Sequence, residues 1–283
     1  MKGLIVLDID GTVTDQLYEI DPSVLSYLKS LYEGGWQIFF VTGRTFAFSK
    51  KILQSIPFPF FAGVQNGSAI IRFPEQKIFH MSYLHRKAAM PILKFLFQEK
   101  IPFVVECGFN VSDICYYFPN NISKEERDYI EFRISIAPET WIALDSIDEI
   151  SQDTFPVIKY FCKYQNTALQ ISEQIANLQQ PVNTVTISDP FNRGTYLAHI
   201  TSKEASKSSA VEKLRSQFSN GAPLIVAGDD YNDKDMLLKG DVKVVMETAP
   251  QDVLDIADII APSANERGII RGLTDAIEIL QRK

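Results

Sequence analysis

The chain opens with an unbroken aliphatic run, Leu4–Leu7, that ends abruptly in the acidic sequence Asp8-Ile9-Asp10-Gly11-Thr12. A run without polar alternation suits a strand covered on both faces, the usual situation in a parallel sheet flanked by helices. The next seventy residues extend that pattern. Asp21 and Pro22 read as the N-cap and first residue of a helix that places Val24, Leu25, Leu28 and Leu31 on one face and stops at Gly34-Gly35. Trp36–Val41 is the next predicted strand, and Thr42-Gly43-Arg44 leads from it into a second helix carrying Phe48, Ile52 and Leu53. Strand–helix–strand–helix implies parallel pairing with right-handed crossovers.

The C-terminal part repeats this grammar. A helix from about Ser206 turns Val211, Leu214 and Phe218 inward and ends at Asn220-Gly221. Strand Leu224–Ala227, a short helix near Met236, strand Lys243–Met246 and the apolar pair Ile259-Ile260 come after it. Ile269, Ile270, Leu273, Ile277 and Leu280 then mark a closing helix. The middle differs. From about Tyr83 to Asn192, helical patterns (Pro91–Gln98, Thr167–Asn177) mix with the β-rich stretches Ile101–Val105, Ile114–Phe118 and Val157–Tyr164. The expected organisation is therefore an α/β core built from residues 1–82 and 193–283, interrupted by an inserted α+β domain at 83–192, after a hairpin at Ala69–Met81. A length of 283 residues is enough for two cores.

A net charge of −7 gives no electrostatic footprint for wrapping nucleic acid or an anionic membrane. Neither partner is expected. Cys107, Cys115 and Cys162 form no CxxC pair or disulfide framework. Leu4–Leu7 is too short for a signal-peptide core, and no apolar stretch reaches membrane-spanning length. A soluble, cytoplasmic protein is expected.

In parallel sheets ligands bind at the carboxyl ends of the strands, and two acidic clusters fall there. One is Asp8-x-Asp10; the other is Gly228-Asp229-Asp230-Tyr231-Asn232-Asp233, after Leu224–Ala227. Each alone also fits a solvated acidic turn. Together, at the ends of two central parallel strands, they would repel one another without a cation, and a small set of hard oxygen donors suits Mg²⁺. A helix–loop–helix calcium site is excluded, because a strand precedes Asp8 and Gly11 is not at the sixth loop position. Thr42 offers a hydroxyl and nearby backbone N–H groups to a phosphate oxygen, and Lys207 offers a point positive charge. Taken singly, the first fits a helix cap and the second a solvated lysine. Arg44 fits a substrate contact and a carboxylate pair equally.

Asp8-x-Asp10-Gly11-Thr12, Thr42-Gly43-Arg44, Lys207 and Gly228-Asp229-x-x-Asn232-Asp233 together resemble, in order and spacing, the four motifs of the haloacid dehalogenase (HAD) superfamily. The insertion between the second and third motifs is similar to the type IIB cap of the Cof-like sugar-phosphate phosphatases, supported by Asn66-Gly67-Ser68-Ala69, Asn265 and Gly268. Lys207-Ser208-Ser209 departs from the usual Lys-Gly. The resemblance implies a Rossmann-like parallel-sheet core and an Mg²⁺-dependent phosphatase acting on a small phosphorylated substrate, a sugar phosphate above all. It implies that Asp8 is the nucleophile, passing through an aspartyl-phosphate, and that Asp10 is the general acid and then base. Asp8, Asp229, the Asp10 backbone carbonyl and, through a water, Asp233 would hold the metal. Thr42, Gly43, Arg44 and Lys207 would bind the phosphoryl group, with Asn232 orienting its neighbours. The same motifs serve phosphomutases that return the phosphoryl group to a sugar, so that alternative stays open here. A non-catalytic phospho-acceptor, such as a receiver domain, fits the length and the insertion poorly.

Overall fold

A computed structural model describes residues 2–16, 18–189, 192, 194–218 and 221–282. The N-terminal part contains β1 (Gly3–Asp8), α1 (Pro22–Glu33), β2 (Trp36–Val41), α2 (Phe46–Ser55), β3 (Phe60–Val64) and the hairpin β4 (Ala69–Phe73) and β5 (Lys77–Met81). All six residues of β1 are buried, as its aliphatic run requires. The Asp21 carboxylate accepts the Ser23 N–H at 2.8 Å, and Pro22 opens α1.

The inserted part contains β6 (Leu84–His85), α3 (Arg86–Gln98), β7 (Phe103–Glu106), β8 (Ile114–Tyr117), α4 (Lys124–Ile136), β9 (Thr140–Ala143), β10 (Thr154–Phe155), β11 (Val157–Cys162), α5 (Gln165–Asn177), β12 (Val182–Ser188) and β13 (Tyr196–Ser202). The chain then forms α6 (Lys207–Arg215), β14 (Leu224–Gly228), α7 (Lys234–Leu237), β15 (Val242–Met246), α8 (Gln251–Leu254), β16 (Ile259–Ala261) and α9 (Gly268–Arg282).

Two compact units result: Met1–Arg44, Ser49–Met81 and Ser206–Lys283 in one, Thr45–Phe48 and Ser82–Ala205 in the other. The first is built on an eight-stranded sheet of order β16-β15-β14-β1-β2-β3-β4-β5. Its strands from β16 to β3 run parallel and the β4–β5 hairpin antiparallel. Connections from β1 leave toward β2, whereas β14 lies on its other side, so the strand order reverses at β1. A doubly wound sheet opens its ligand crevice at such a switch point. The second unit carries a six-stranded sheet of order β12-β13-β11-β7-β8-β9, antiparallel except for β8 and β9. Ile92, Leu93 and Leu96 of α3 and Ile171 and Ile175 of α5 join its larger apolar core. Ile130 of α4 joins a smaller one with Val104, Phe161 and Leu197.

The structure departs from the sequence expectation in three places. The second unit extends to Ala205, not Asn192, because β13 pairs with both β11 and β12. Helix α3 begins at Arg86, so Pro91 lies inside it rather than opening it. Helix α6 ends at Arg215; the expected stop at Asn220 lies outside the described residues. Among the described residues, no helix is long and apolar enough to cross a membrane.

Candidate active site

The parallel register brings the first two acidic motifs and the threonine loop to one edge of the sheet. Asp8 lies level with Val41 of β2, and Leu7 with Ala227 of β14, so Thr42 and Asp229 each come directly beyond the strand beside Asp8. Carboxylate oxygens of Asp8, Asp229 and Asp233 all lie within 4.8 Å of one another. Lys207, at the start of α6, is buried and donates to Asp8 Oδ1 at 2.5 Å and to Asp233 Oδ1 at 2.6 Å. Ser206 secures this position by capping α6 through the Ser209 N–H.

Backbone shape makes room for the cluster. Gly11 has φ +77°, and a Cβ there would stand 2.2 Å from Asp229 Oδ2. A side chain is therefore excluded both by conformation and by space. A Cβ on Gly228 would meet the Asp233 Cβ at 2.6 Å. Asp233 closes its own turn by accepting the Asp229 and Asp230 N–H groups at 3.1 and 3.2 Å on Oδ2, which leaves Oδ1 directed at Lys207. Thr12 donates to Asp229 Oδ1 at 3.0 Å.

Electrostatics show why a further cation belongs here. Burial pushes the Asp8 carboxyl well above the usual range, Lys207 opposes this, and Asp233, Asp229 and Asp10 add to it. Asp229 is pushed up to about 7, by burial first and then by Asp233. Burial works against the Lys207 ammonium, but Asp233 and Asp8 outweigh it and hold the proton more firmly than usual. Three carboxylates against one ammonium leave a negative excess in a buried place. Such a set of hard oxygen donors fits a divalent metal.

Asp10 is bound differently. The Arg44 guanidinium grips it through Nε, at 2.9 and 3.1 Å from the two carboxylate oxygens, and through Nη2. Sequence reasoning leaves Arg44 between substrate and carboxylate; the structure pairs it with this carboxylate. Thr42 is buried, its hydroxyl accepting the Arg44 N–H at 3.1 Å and its carbonyl the Asn66 N–H at 2.9 Å. Gly43 packs near the Asn66 side chain, where a Cβ would lie 3.2 Å from Oδ1. Asn232 stands half-buried in the turn between Asp229 and Asp233. Gly67 (φ +81°) allows this loop to approach α6, since a Cβ there would lie 2.7 Å from the Ser206 carbonyl. Sequence reasoning misses Thr12 as a site residue, although its place one residue after Gly11 is the signal that could have found it.

The sequence profile of the haloacid dehalogenase-like hydrolases matches residues 5–273. The chain belongs to this family. Phosphatase YwpJ of Bacillus subtilis is 24% identical over 295 aligned positions, covering 94% of this chain and 96% of its own. YxeH of the same organism is 23% identical over 98% of this chain and 99% of its own. Among solved structures, a haloacid dehalogenase-like hydrolase from B. subtilis superposes with a TM-score of 0.74 at 22% identity, covering 95% of this chain and 98% of that one. The subclass IIB sugar phosphatase BT4131 superposes with a TM-score of 0.72 at 17% identity, covering 96% and 98%. The chain thus has the HAD fold, with an α+β insertion, and is an enzyme of the phosphatase class.

Proposed function

We propose that this haloacid dehalogenase-like hydrolase is a Mg²⁺-dependent phosphatase. It hydrolyses a small phosphorylated metabolite, foremost a sugar phosphate, through an aspartyl-phosphate on Asp8. The observation that carries this reading is the Asp8–Asp229–Asp233 cluster bridged by Lys207 at the carboxyl ends of β1 and β14. Similarity to BT4131 supports the sugar phosphate as substrate class.

In this reading Asp8 attacks phosphorus, the bond from phosphorus to the substrate oxygen breaks, and Asp10 gives its proton to the departing alkoxide. Water then attacks the phosphorus of the acyl phosphate while Asp10 takes its proton. The bond to Asp8 breaks and inorganic phosphate leaves. Thr42 and Lys207 hold the phosphoryl oxygens, with Gly43 keeping the loop backbone open to them and Asn232 orienting the acidic turn. Asp8, Asp229, Asp233 and the Asp10 backbone carbonyl would hold Mg²⁺, which when bound supplies the positive charge that lets a carboxylate approach a phosphate dianion. The Arg44 guanidinium occupies both Asp10 carboxylate oxygens, so the acid role requires it to turn to another acceptor, such as a phosphoryl oxygen.

The test is inorganic phosphate release from a panel of phosphorylated metabolites, with and without Mg²⁺, for the wild type and Asp8→Asn. Release that needs both Mg²⁺ and Asp8 is the expected result. Full Mg²⁺-dependent turnover by Asp8→Asn removes the nucleophile assignment. Isomerisation of a hexose phosphate without net phosphate release replaces hydrolysis with mutase chemistry.

A further inference from the structure

Asn66-Gly67-Ser68 takes no chemical part in the proposed reaction, yet its turn touches both elements that would hold the phosphoryl group. Gln65, Asn66, Gly67 and Ser68 join β3 to β4, and the first three all have positive φ, at 50°, 56° and 81°. Two of these are not glycine, and such residues adopt the left-handed conformation at a cost, only when the surroundings enforce it. The turn closes through the Gly67 N–H on the Val64 carbonyl at 3.0 Å, and through the Ser68 N–H and hydroxyl on the Gln65 carbonyl at 3.2 and 2.7 Å. A hairpin can close with two loop residues, so closure alone does not require this shape. Its other consequence is directional. The Gln65 N–H donates to the Arg44 carbonyl at 2.7 Å and the Asn66 N–H to the Thr42 carbonyl at 2.9 Å. Gly67, in turn, seats against the first turn of α6, where a Cβ would lie 2.7 Å from both the Ser206 carbonyl and the Ala210 Cβ. Lys207 is the first residue of that helix. All of these residues belong to the first unit.

We propose that Asn66 and Gly67 are positioning residues for phosphate binding: the left-handed turn they form is a spacer that fixes the Thr42-Gly43-Arg44 loop relative to Lys207. This rests on the assignment of Thr42 and Lys207 to the phosphoryl oxygens in the proposed function. The two groups come from different segments of the chain, so they hold a phosphate well only when their separation is set before it arrives. Backbone hydrogen bonds on one arm and a contact without a side chain on the other make a short, stiff link. Gln65 and Ser68 are fully buried and anchor its base. The link depends on residue 66 tolerating a φ of +56°, as Asn and Gly do and a β-branched residue does not. It depends equally on the missing Cβ at residue 67.

The experiment uses the full chain in Mg²⁺, with p-nitrophenyl phosphate as substrate and inorganic phosphate as competitive inhibitor. The variants are Asn66→Gly, Asn66→Ala, Asn66→Val and Gly67→Ala. Thr42→Val is the control on the loop itself, and Thr42→Val combined with Asn66→Val completes a double-mutant cycle. The phosphate inhibition constant should rise in the order Asn66→Gly, Asn66→Ala, Asn66→Val, following the ease of left-handed backbone, and by at least about tenfold in the valine variant. Gly67→Ala should match the valine variant. Because the turn acts through Thr42, the double variant should lose little more than Thr42→Val alone. A role confined to stability lowers the urea midpoint and the amount of active enzyme but leaves the inhibition constant at its wild-type value. Where Gly67→Ala or Asn66→Val does not fold, Asn66→Ala takes its place in the series and in the cycle. Three results overturn this inference alone: wild-type phosphate inhibition in folded Asn66→Val, a loss in Asn66→Gly equal to that in Asn66→Val, or a double variant whose loss is the product of the single losses. Unchanged phosphate inhibition in Thr42→Val overturns the loop assignment and this inference with it.

Discussion

Lys207→Met is the substitution that exposes the electrostatics of the site most directly. The ammonium makes two contacts, at 2.5 Å to Asp8 and 2.6 Å to Asp233, and its side chain is 3% exposed. Methionine fills similar space without charge, so the cavity contribution is small and the change is electrostatic. It leaves Asp8, Asp229 and Asp233 within 4.8 Å of one another without their protein cation. Removing one partner of a buried ion pair costs roughly 3–5 kcal/mol, a large share of the stability of a typical domain. The loss should depend on pH in a defined direction. Asp8 and Asp229 already bind protons more readily than ordinary carboxylates, and without Lys207 they do so still more. Asp229, pushed up to about 7, goes into the variant neutral at about pH 5, where the deficit is smaller, and charged at about pH 8, where it is fully developed.

Urea denaturation at both pH values, in EDTA and in millimolar Mg²⁺, measures this. The expected pattern is a deficit of roughly 3–5 kcal/mol at the higher pH in EDTA, shrinking at the lower pH and shrinking again with Mg²⁺. Phosphatase activity should fall by about 10²–10³ under all conditions, because the added metal does not replace the charge on the phosphoryl oxygens. A variant less than about 1 kcal/mol below wild type at both pH values, and indifferent to Mg²⁺, would refute the reasoning: Lys207 would then not be compensating buried charge.

Metal removal from the wild type should show the same physics. Asp229 takes up its proton near 7 in the folded chain and near 3.9 when unfolded, so the folded state binds more protons between these values. Stability in EDTA should therefore fall as pH rises from about 4 to about 7, then level, and Mg²⁺ should flatten the slope; a rise over that interval contradicts the burial argument. Gly11→Ala adds a Cβ where φ is +77° and Asp229 Oδ2 would be 2.2 Å away. It should displace Asp229 and weaken Mg²⁺ affinity at least tenfold, measured by calorimetry, and wild-type affinity would show that Asp229 does not hold the ion.

The parallel core is legible in the sequence because burial on both faces writes a simple signal. Every residue of β1 is apolar until Asp8, and Asp21-Pro22 marks the start of α1 by its own chemistry. Parallel register then puts the residues after each strand at one edge, so Asp8, Thr42 and Asp229 can be joined before any distance is known. The second unit offers less. Helix α4 buries only Ile130, so its apolar stripe is too thin to read, and the capping box from Ser123 to Glu126 is its one sequence mark. Strand β12 has no fully buried residue, and β13, the strand after it, falls on the other side of the boundary from the one its sequence suggests.

The pairings within the site are illegible for a different reason. Arg44 carries a guanidinium that any nearby anion could satisfy, and nothing in the spacing of 34 residues selects Asp10. The same holds for Thr12 and Asp229, 217 apart. Reactive carboxylates sit at positions dictated by strand ends, so sequence context identifies them. The groups that orient them are chosen by proximity, which only the folded chain creates. A group that orients a reactive carboxylate, as Arg44 does Asp10, can therefore lie anywhere in the chain that the fold returns to the site.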